Sequence, residues 1–192
     1  MSRIIAGTYG GRRLSTPDGT DTRPTSDRVR EALFSSLDAA NLLYGHRFLD
    51  LYAGSGAVGL EAASRGADHV LLVESDPRAA RVLRANVEAL KAAGTVTISA
   101  GRVSSTLAGG PIGGAYDVVF ADPPYAVEEV EITAMMRDLV QHEWLAPDAV
   151  LIIERSKRSP EPHWVDGITG DRSRRYGETV LWYGHAAAEP EE

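Results

Sequence analysis

Four successive residues, Asp122-Pro123-Pro124-Tyr125, stand at the end of the apolar run Asp117 to Ala121. A carboxylate, two prolines and an aromatic ring in that order suit one chemical task, the methylation of an exocyclic amino group on a base. Such a nitrogen is a poor nucleophile because its lone pair is delocalised into the ring. It becomes reactive when a carboxylate and a main-chain carbonyl accept its two N–H groups and aim the lone pair at a methyl donor. Proline fixes φ at about −65° and holds the preceding residue out of the helical region, so the pair makes a stiff corner with carbonyls facing outward. Tyr125 adds a ring on which a base can stack. Asp-Pro and Pro-Pro also terminate strands with no chemistry attached. What raises the chemical reading above that one is the buried strand before the tetrapeptide and a second motif upstream.

The second motif runs from Phe48 to Glu61: an apolar strand, a turn Gly54-x-Gly56-x-x-Gly59, then a helix. Taken alone, the glycine spacing is also that of dinucleotide-binding folds. Asp50 discriminates. The pyrophosphate of a dinucleotide sits at the helix N-terminus, where a nearby carboxylate would repel it. S-adenosylmethionine instead brings an ammonium and a sulfonium to the turn, and both are cationic. Glu74, 24 residues after Asp50, ends the next apolar run at about the spacing from which an acidic side chain reaches a ribose diol. That role supports a nucleoside ligand without choosing between the two cofactors.

Both motifs need strands and helices to carry them. From Arg47 onward these alternate, the pattern of a parallel sheet covered on both faces. Strands are predicted at 47–52, 69–74, 95–100, 116–121 and 149–154, and helices at 57–65, 77–92 and 127–142. Residues 164–169 and 178–183 read as an antiparallel pair at one edge. Upstream, residues 3–9 and 12–16 read as a hairpin turning through Gly10-Gly11, followed by a loop to Pro24 and a helix from Thr25 or Ser26 to about Leu42. The apolar stripe of that helix, Val29, Leu33 and Leu37, predicts that Arg28 and Arg30 point away from it. Ligands of open α/β sheets bind where strand order reverses, so the loops after Tyr52, Glu74, Ala100 and Ala121 are expected to share one crevice. Three units are expected: a basic arm over 1–24, a catalytic domain over 25–185 and a disordered tail over 186–192.

Composition narrows the function. The chain has no cysteine, which excludes thiolate zinc sites and the cysteine nucleophile typical of enzymes that methylate carbon 5 of pyrimidines. Its five histidines lie at least 21 residues apart, without the short spacing of a zinc site; no metal is expected. There is no long apolar run, and the first residues turn polar at once, so a soluble cytoplasmic protein is expected. The net charge of −7 is unevenly spread: residues 1–30 carry +3 through Arg3, Arg12, Arg13, Arg23, Arg28 and Arg30, the remainder −10. Arginine suits bidentate phosphate contacts, and these six are the candidate RNA-binding residues. Arg155, Lys157, Arg158, Arg172, Arg174 and Arg175 are the next candidates.

With these segments in hand the chain resembles the bacterial RsmD family. The resemblance rests on Arg3-Ile4-Ile5-Ala6-Gly7 with Gly11-Arg12-Arg13-Leu14, on Thr22 to Phe34, and on Asp50 to Glu61 with Asp122 to Tyr125. It implies a class I, Rossmann-like methyltransferase: a seven-stranded, mostly parallel sheet with helices on both faces, plus an N-terminal β-hairpin and helix. The implied activity is methyl transfer from S-adenosylmethionine to the N2 amino group of a guanine in 16S ribosomal RNA, in the assembled 30S subunit, by a monomer. The implied cofactor residues are Asp50, Tyr52, Gly54, Ser55, Gly56, Glu74, Ser75, Arg102, Val103 and Asp122. The implied catalytic residues are Asp122, Pro123, Pro124 and Tyr125. One departure stands out: Arg102 occupies a place where such enzymes often put a hydrogen-bond acceptor for the adenine, and arginine cannot accept.

Three rival readings remain at this stage. A DNA adenine-N6 methyltransferase would share the chemistry, although no insert is large enough for a DNA-reading domain. A nicotinamide oxidoreductase is disfavoured by Asp50. A non-catalytic ribosome assembly factor is disfavoured by the intact Asp122 and Tyr125.

Overall fold

In the computed structural model, which describes residues 2–18 and 26–191, the arm is a short two-stranded ribbon. Strands β1 (Ser2–Arg3) and β2 (Arg13–Leu14) pair antiparallel. The hairpin is much shorter than predicted, because Ile5, Ala6, Thr8 and Tyr9 turn their backbone N–H groups to Glu61 and Ser64 of the body. Glu61, fully buried, accepts the N–H of Ile5 at 2.8 Å and of Ala6 at 3.1 Å. Ser64 accepts Thr8 N–H at its carbonyl and Tyr9 N–H at its hydroxyl. The approach is so close that a Cβ on Gly7, whose φ is +84°, would lie 2.0 Å from the Ser64 carbonyl oxygen. The arm is thereby built into the body, with Ile4 and Leu14 in the core.

Helix α1 (Asp27–Ala39) begins where Ser26 Oγ accepts the Val29 N–H, which satisfies one of the orphan donors of its first turn. It buries Val29, Leu33, Phe34 and Leu37, and each buried Leu or Phe contributes about 1.5–3 kcal/mol. Arg30 overturns the expectation from the stripe: it is 0% exposed and donates to the Arg3 carbonyl at 2.6 Å and to Asp27 Oδ1 at 2.8 Å. Its guanidinium pins the arm to α1 and is not presented to solvent. Arg23 lies outside the described residues.

The body follows as β3 (Arg47–Leu51), α2 (Ala57–Ser64), β4 (His69–Glu74), α3 (Pro77–Ala89), β5 (Val96–Ala100), α4 (Val103–Ala108), β6 (Tyr116–Ala121), α5 (Glu129–Gln141), β7 (Leu145–Ser156), β8 (Ile168–Tyr176) and β9 (Thr179–Ala186). Its seven strands are ordered β5-β4-β3-β6-β7-β9-β8, parallel except that β9 runs antiparallel to both neighbours. Alternation along each strand divides the core. Phe48, Val70, Leu72 and Phe120 pack toward the side of α1, α2 and α3, while Leu49, Leu51, Val73 and Val119 pack toward that of α4 and α5. Helix α4, short and rich in serine and threonine, is absent from the sequence reading. The edge pair is shifted: Trp164 stands outside β8, and its indole fills the space over Gly170 and Gly184. Ala186 closes β9, one residue into the segment expected to be disordered, and Ala187 beyond it hydrogen-bonds to Gly167 and Asp148.

Removing a buried charged partner is strongly destabilising, and Glu61 also holds Arg65 Nε at 2.9 Å. Glu61→Ala is therefore expected to lower stability by about 3–5 kcal/mol in urea titration and to speed tryptic cleavage at Arg12 and Arg13. Unchanged cleavage would mean that the arm is held by something else.

Candidate active site

The sheet order reverses between β3 and β6, and there the two sequence motifs meet. One cavity of about 1230 Å³ is walled by Asp50, Tyr52, Gly54 and Ser55 from the first motif, Glu74 and Ser75 from the end of β4, Arg102 and Val103 at the start of α4, and all of Asp122 to Tyr125. Of the candidate cofactor residues only Gly56 stays off the wall. It takes the N-cap position of α2 with φ at +88°, and a Cβ there would lie 2.4 Å from Leu83 Cδ1.

Asp50 has a structural as well as a chemical position. Gly56 has no side chain to cap α2, and the helix N-terminus is capped from the sheet instead, by Asp50 Oδ2 accepting the Gly59 N–H at 2.9 Å. The close packing requires glycine at 59, since a Cβ would sit 2.1 Å from Leu72 Cδ2 and 3.2 Å from Asp50 Oδ2. Asp50 is only 2% exposed. Burial pushes its carboxyl pKa up to about 8, the Gly59 hydrogen bond acting against this and Glu74 and Glu154 adding to it. Among the described groups that act on it none is a cation, so the buried acid is poised for a positive charge.

Glu74 braces the turn. Its Oε2 accepts Gly54 N–H at 2.7 Å and its Oε1 accepts Asp76 N–H at 3.0 Å; each oxygen keeps a lone pair for a further donor. Between them, Tyr52 holds a left-handed φ of 61°, a strained conformation of the kind that clusters at ligand sites. Burial, with Glu131 adding and Arg155 opposing, raises its phenol to about 12, so it stays a neutral hydroxyl.

The proline corner follows β6 directly. Asp122 N–H donates to the Leu51 carbonyl at 3.5 Å, and the Pro124 carbonyl accepts Val127 N–H at 3.0 Å. Among the described residues the Pro123 carbonyl accepts no hydrogen bond, which leaves it available to an incoming donor. Tyr125 is 74% exposed and stands at the rim.

Several participants were not legible in the sequence. Asn86 donates to the carbonyls of Ser15 and Ser55, both at 2.9 Å, and accepts Ser15 N–H at 2.9 Å, so it ties the arm to the glycine turn. Thr16, Pro17 and Ser26 bring the arm and α1 to the cavity, and Glu178 and Thr179 bring the β8–β9 turn. Among the described residues, eight carboxylates line the cavity (Asp50, Glu74, Asp76, Asp122, Glu131, Asp138, Glu154 and Glu178) against one cation, Arg102. This balance favours a cationic ligand and disfavours a phosphate inside. Among the described residues no group of acids and histidines is arranged to hold a metal.

The described arginines of the arm, Arg3, Arg12 and Arg13, do not line the cavity. Arg3 and Arg13 are exposed and directly opposite each other in the β1–β2 pair, a like-charge arrangement that costs stability unless an anion joins it. Arg12 folds back to donate to the Ala89 carbonyl at the end of α3, at 2.7 Å, and Arg28 is exposed. Arg155, a reserve candidate, is buried and paired with Glu129. No described helix is long and apolar enough to cross a membrane.

Comparison with known proteins gives a consistent picture. The family described as Conserved hypothetical protein 95 matches residues 2–185. Ribosomal RNA small subunit methyltransferase D of Escherichia coli is 38% identical over 79% of this chain and 73% of its own length. The protein of that name from Haemophilus influenzae is 35% identical over 82% and 80%. Among solved structures, Escherichia coli yhhF is 33% identical with a TM-score of 0.83, covering 97% of this chain and 98% of that one. An RNA methyltransferase of Salinibacter ruber, solved with S-adenosyl-L-homocysteine, shares the fold at 16% identity and a TM-score of 0.63, covering 88% and 97%. By the span of the family match and by these relatives, the chain belongs to the Conserved hypothetical protein 95 family, the RsmD family that its arm and its two motifs resemble.

Proposed function

We propose that this protein transfers a methyl group from S-adenosylmethionine to the N2 amino group of a guanine in the 16S RNA of the small ribosomal subunit. The observation that carries the reading is the shared cavity: a carboxylate-rich glycine turn and a rigid proline corner open into the same space. The family and the names of its members support ribosomal RNA as the substrate. The like-charged pair Arg3 and Arg13 supports a polyanionic partner.

The cavity residues fit the cofactor by charge and by donor set. Asp50 and the turn Tyr52 to Ser55 would hold its methionine end, Glu74 and Ser75 its ribose, and Arg102 and Val103 would flank the adenine through main chain. When bound, S-adenosylmethionine supplies an electrophilic methyl group on a sulfonium. The chain's own residues do the rest. Asp122 and the Pro123 carbonyl accept the two N–H groups of the guanine and turn its lone pair toward the methyl; as the nitrogen takes the methyl, the methyl–sulfur bond breaks to leave a neutral thioether, and the nitrogen then gives up one N–H proton. Pro124 keeps the corner rigid, and Tyr125 stacks on the base, a contact worth about 1–3 kcal/mol. Placement of the two reactants accounts for most of the rate, for which about 7–11 kcal/mol is available in favourable systems. The target base must leave its stack to reach the corner. In keeping with the expectations from sequence, the enzyme works as a monomer, without metal, on the assembled 30S subunit.

The decisive experiment incubates the protein with methyl-labelled cofactor and small subunits from cells lacking it, and in parallel with free ribosomal RNA, then maps the labelled base. Label on guanine N2 is expected; label on adenine, or none, would defeat the reading. Asp122→Ala is expected to cut single-turnover transfer by about 10²–10³-fold while cofactor affinity measured by calorimetry changes little. Transfer within a few-fold of the parent would remove Asp122 from the orienting role.

The raised pKa of Asp50 gives a second test. Between its ordinary value of about 4 and its folded value of about 8, the folded protein holds a proton that the unfolded chain has lost, so stability falls as pH rises through that window. Asp50→Asn keeps an acceptor for Gly59 and has no charge to bury. The unliganded variant is expected to melt a few degrees higher than the parent at pH 8, the gain vanishing toward pH 4, while cofactor affinity falls about 10-fold and loses its rise with pH. A variant with lower melting temperature and undiminished affinity would contradict both roles.

A further inference from the structure

Strand β8 forms the outer edge of the sheet, paired on one side only, by β9. From Thr169 to Arg175 every residue is exposed, and Arg172, Arg174 and Arg175 fall within four positions. In a chain of net charge −7 this is a concentrated positive edge. Among the described residues no carboxylate lies within ion-pair distance of any of the three.

Positive charge on an edge strand also guards against edge-to-edge association, and for that purpose mobile, solvated side chains suffice. Two of these side chains are instead held in place. The Arg172 guanidinium lies 4.6 Å from the centroid of the Tyr183 ring and donates to Ser36 Oγ on α1 at 3.2 Å. Arg175 Nε donates to the Gly177 carbonyl at 3.1 Å. The neighbouring acid is drawn aside: Asp171 is the extra residue where the β8–β9 register shifts, and its carboxylate meets His185 Nδ1 at 2.7 Å. Glu178, in the β8–β9 turn, feels the charge of Arg175 without pairing with it, and fixed guanidiniums with N–H groups to spare and no carboxylate within ion-pair distance are suited to phosphate.

Their place in the fold says which phosphates. The β8–β9 turn delivers Glu178 and Thr179 to the cavity wall, and β8 runs outward from there along the side of α1 that holds Ser36. Arg172 and Arg174 lie two residues apart on the same face, about 6.6 Å along a strand, close to one nucleotide step of an extended chain. The interior of the cavity is acidic and admits a base but not its backbone.

We infer that β8 is a second RNA-backbone surface, on which Arg172 and Arg174, on one face, bind consecutive phosphates of the single strand whose unstacked base enters the cavity, while Arg175, on the opposite face of the strand, reaches a further phosphate across its open edge. This rests on the proposed RNA substrate, and it adds a second basic track to that of the arm. The test measures binding of 16S ribosomal RNA across about 50–200 mM salt, alongside calorimetry with S-adenosylmethionine. Arg172→Gln, Arg174→Gln and Arg175→Gln together are expected to lower the slope of log affinity against log salt by about 2, at about 0.7 per single-strand contact, and to leave cofactor affinity unchanged. Arg174→Gln with Arg175→Gln, which spares the packing of Arg172 on Tyr183, is expected to lower it by about 1.4. A parent protein that binds the RNA with the same salt slope as both variants would overturn the β8 surface alone. A parent that binds no RNA would overturn the substrate reading as well.

Discussion

The hydrogen bond from the Gly59 N–H to the buried Asp50 carboxylate is the constraint on which the site depends. It joins the carboxyl end of β3 to the first turn of α2 and replaces the side-chain cap that Gly56 cannot provide. A capping bond is worth about 1 kcal/mol, yet the geometry it enforces reaches further. It draws α2 down on β4, requires glycine at 59, and leaves Gly54 exposed to the cavity, with its N–H held by Glu74. The carboxylate therefore comes to lie beside the glycine turn under conditions that disfavour its own charge. A site of this kind is stabilised by whatever cation completes it, and stability given up in the empty protein returns as affinity.

The parts of this arrangement that were legible in the sequence are those in which one residue type has one physical use. Four of the five parallel strands fall within a residue of their predicted bounds because their apolar runs end in chemistry-bearing residues, as at Glu74 and Asp122, whereas β7 starts four residues before its predicted start. The cavity followed from topology, since strands on either side of a reversal must open their loops into the same crevice. What escaped was set by long-range pairing. Arg30 is a helical position next to an apolar stripe, and nothing local distinguishes a solvated arginine from one that binds the Arg3 carbonyl. Glu61 and Asn86 lie within helices as ordinary polar residues, and their partners are 55 and 71 residues away. The hairpin was overread for the same reason: residues 5–9 have strand-like composition, but the N–H groups of Ile5, Ala6, Thr8 and Tyr9 find Glu61 and Ser64 before they find a second strand. Helix α4 was missed because its polar sequence carries almost no helical stripe, its one buried residue being Leu107.

These long-range pairings change the meaning of the arm. A basic hairpin on a flexible tether would search for its partner and pay for its ordering on binding. Here the described part of the arm is fixed by Glu61, Ser64, Asn86 and Arg30, and it contributes Thr16 and Pro17 to the cavity wall. The proposed recognition surface and the proposed reaction site are joined by these bonds, so the position of the exposed arginines relative to the proline corner is set by the fold.

Charge then does the sorting. A protein of net charge −7 that handles a polyanion has to keep its own acids from the phosphates, and this one segregates them by depth. Carboxylates converge inside, where on the proposed reading a sulfonium, an ammonium and an amino group would be held, and exposed arginines stand outside on β1, β2 and β8. A nucleotide offered to such a surface experiences opposite forces on its two ends. Its phosphate is retained at the rim, and its base, neutral and bearing donors, is the only part that the acidic interior accepts. On the proposed reading the separation of the two charge zones would favour unstacking as well as binding, because the configuration that satisfies both has the base turned inward and the backbone left behind.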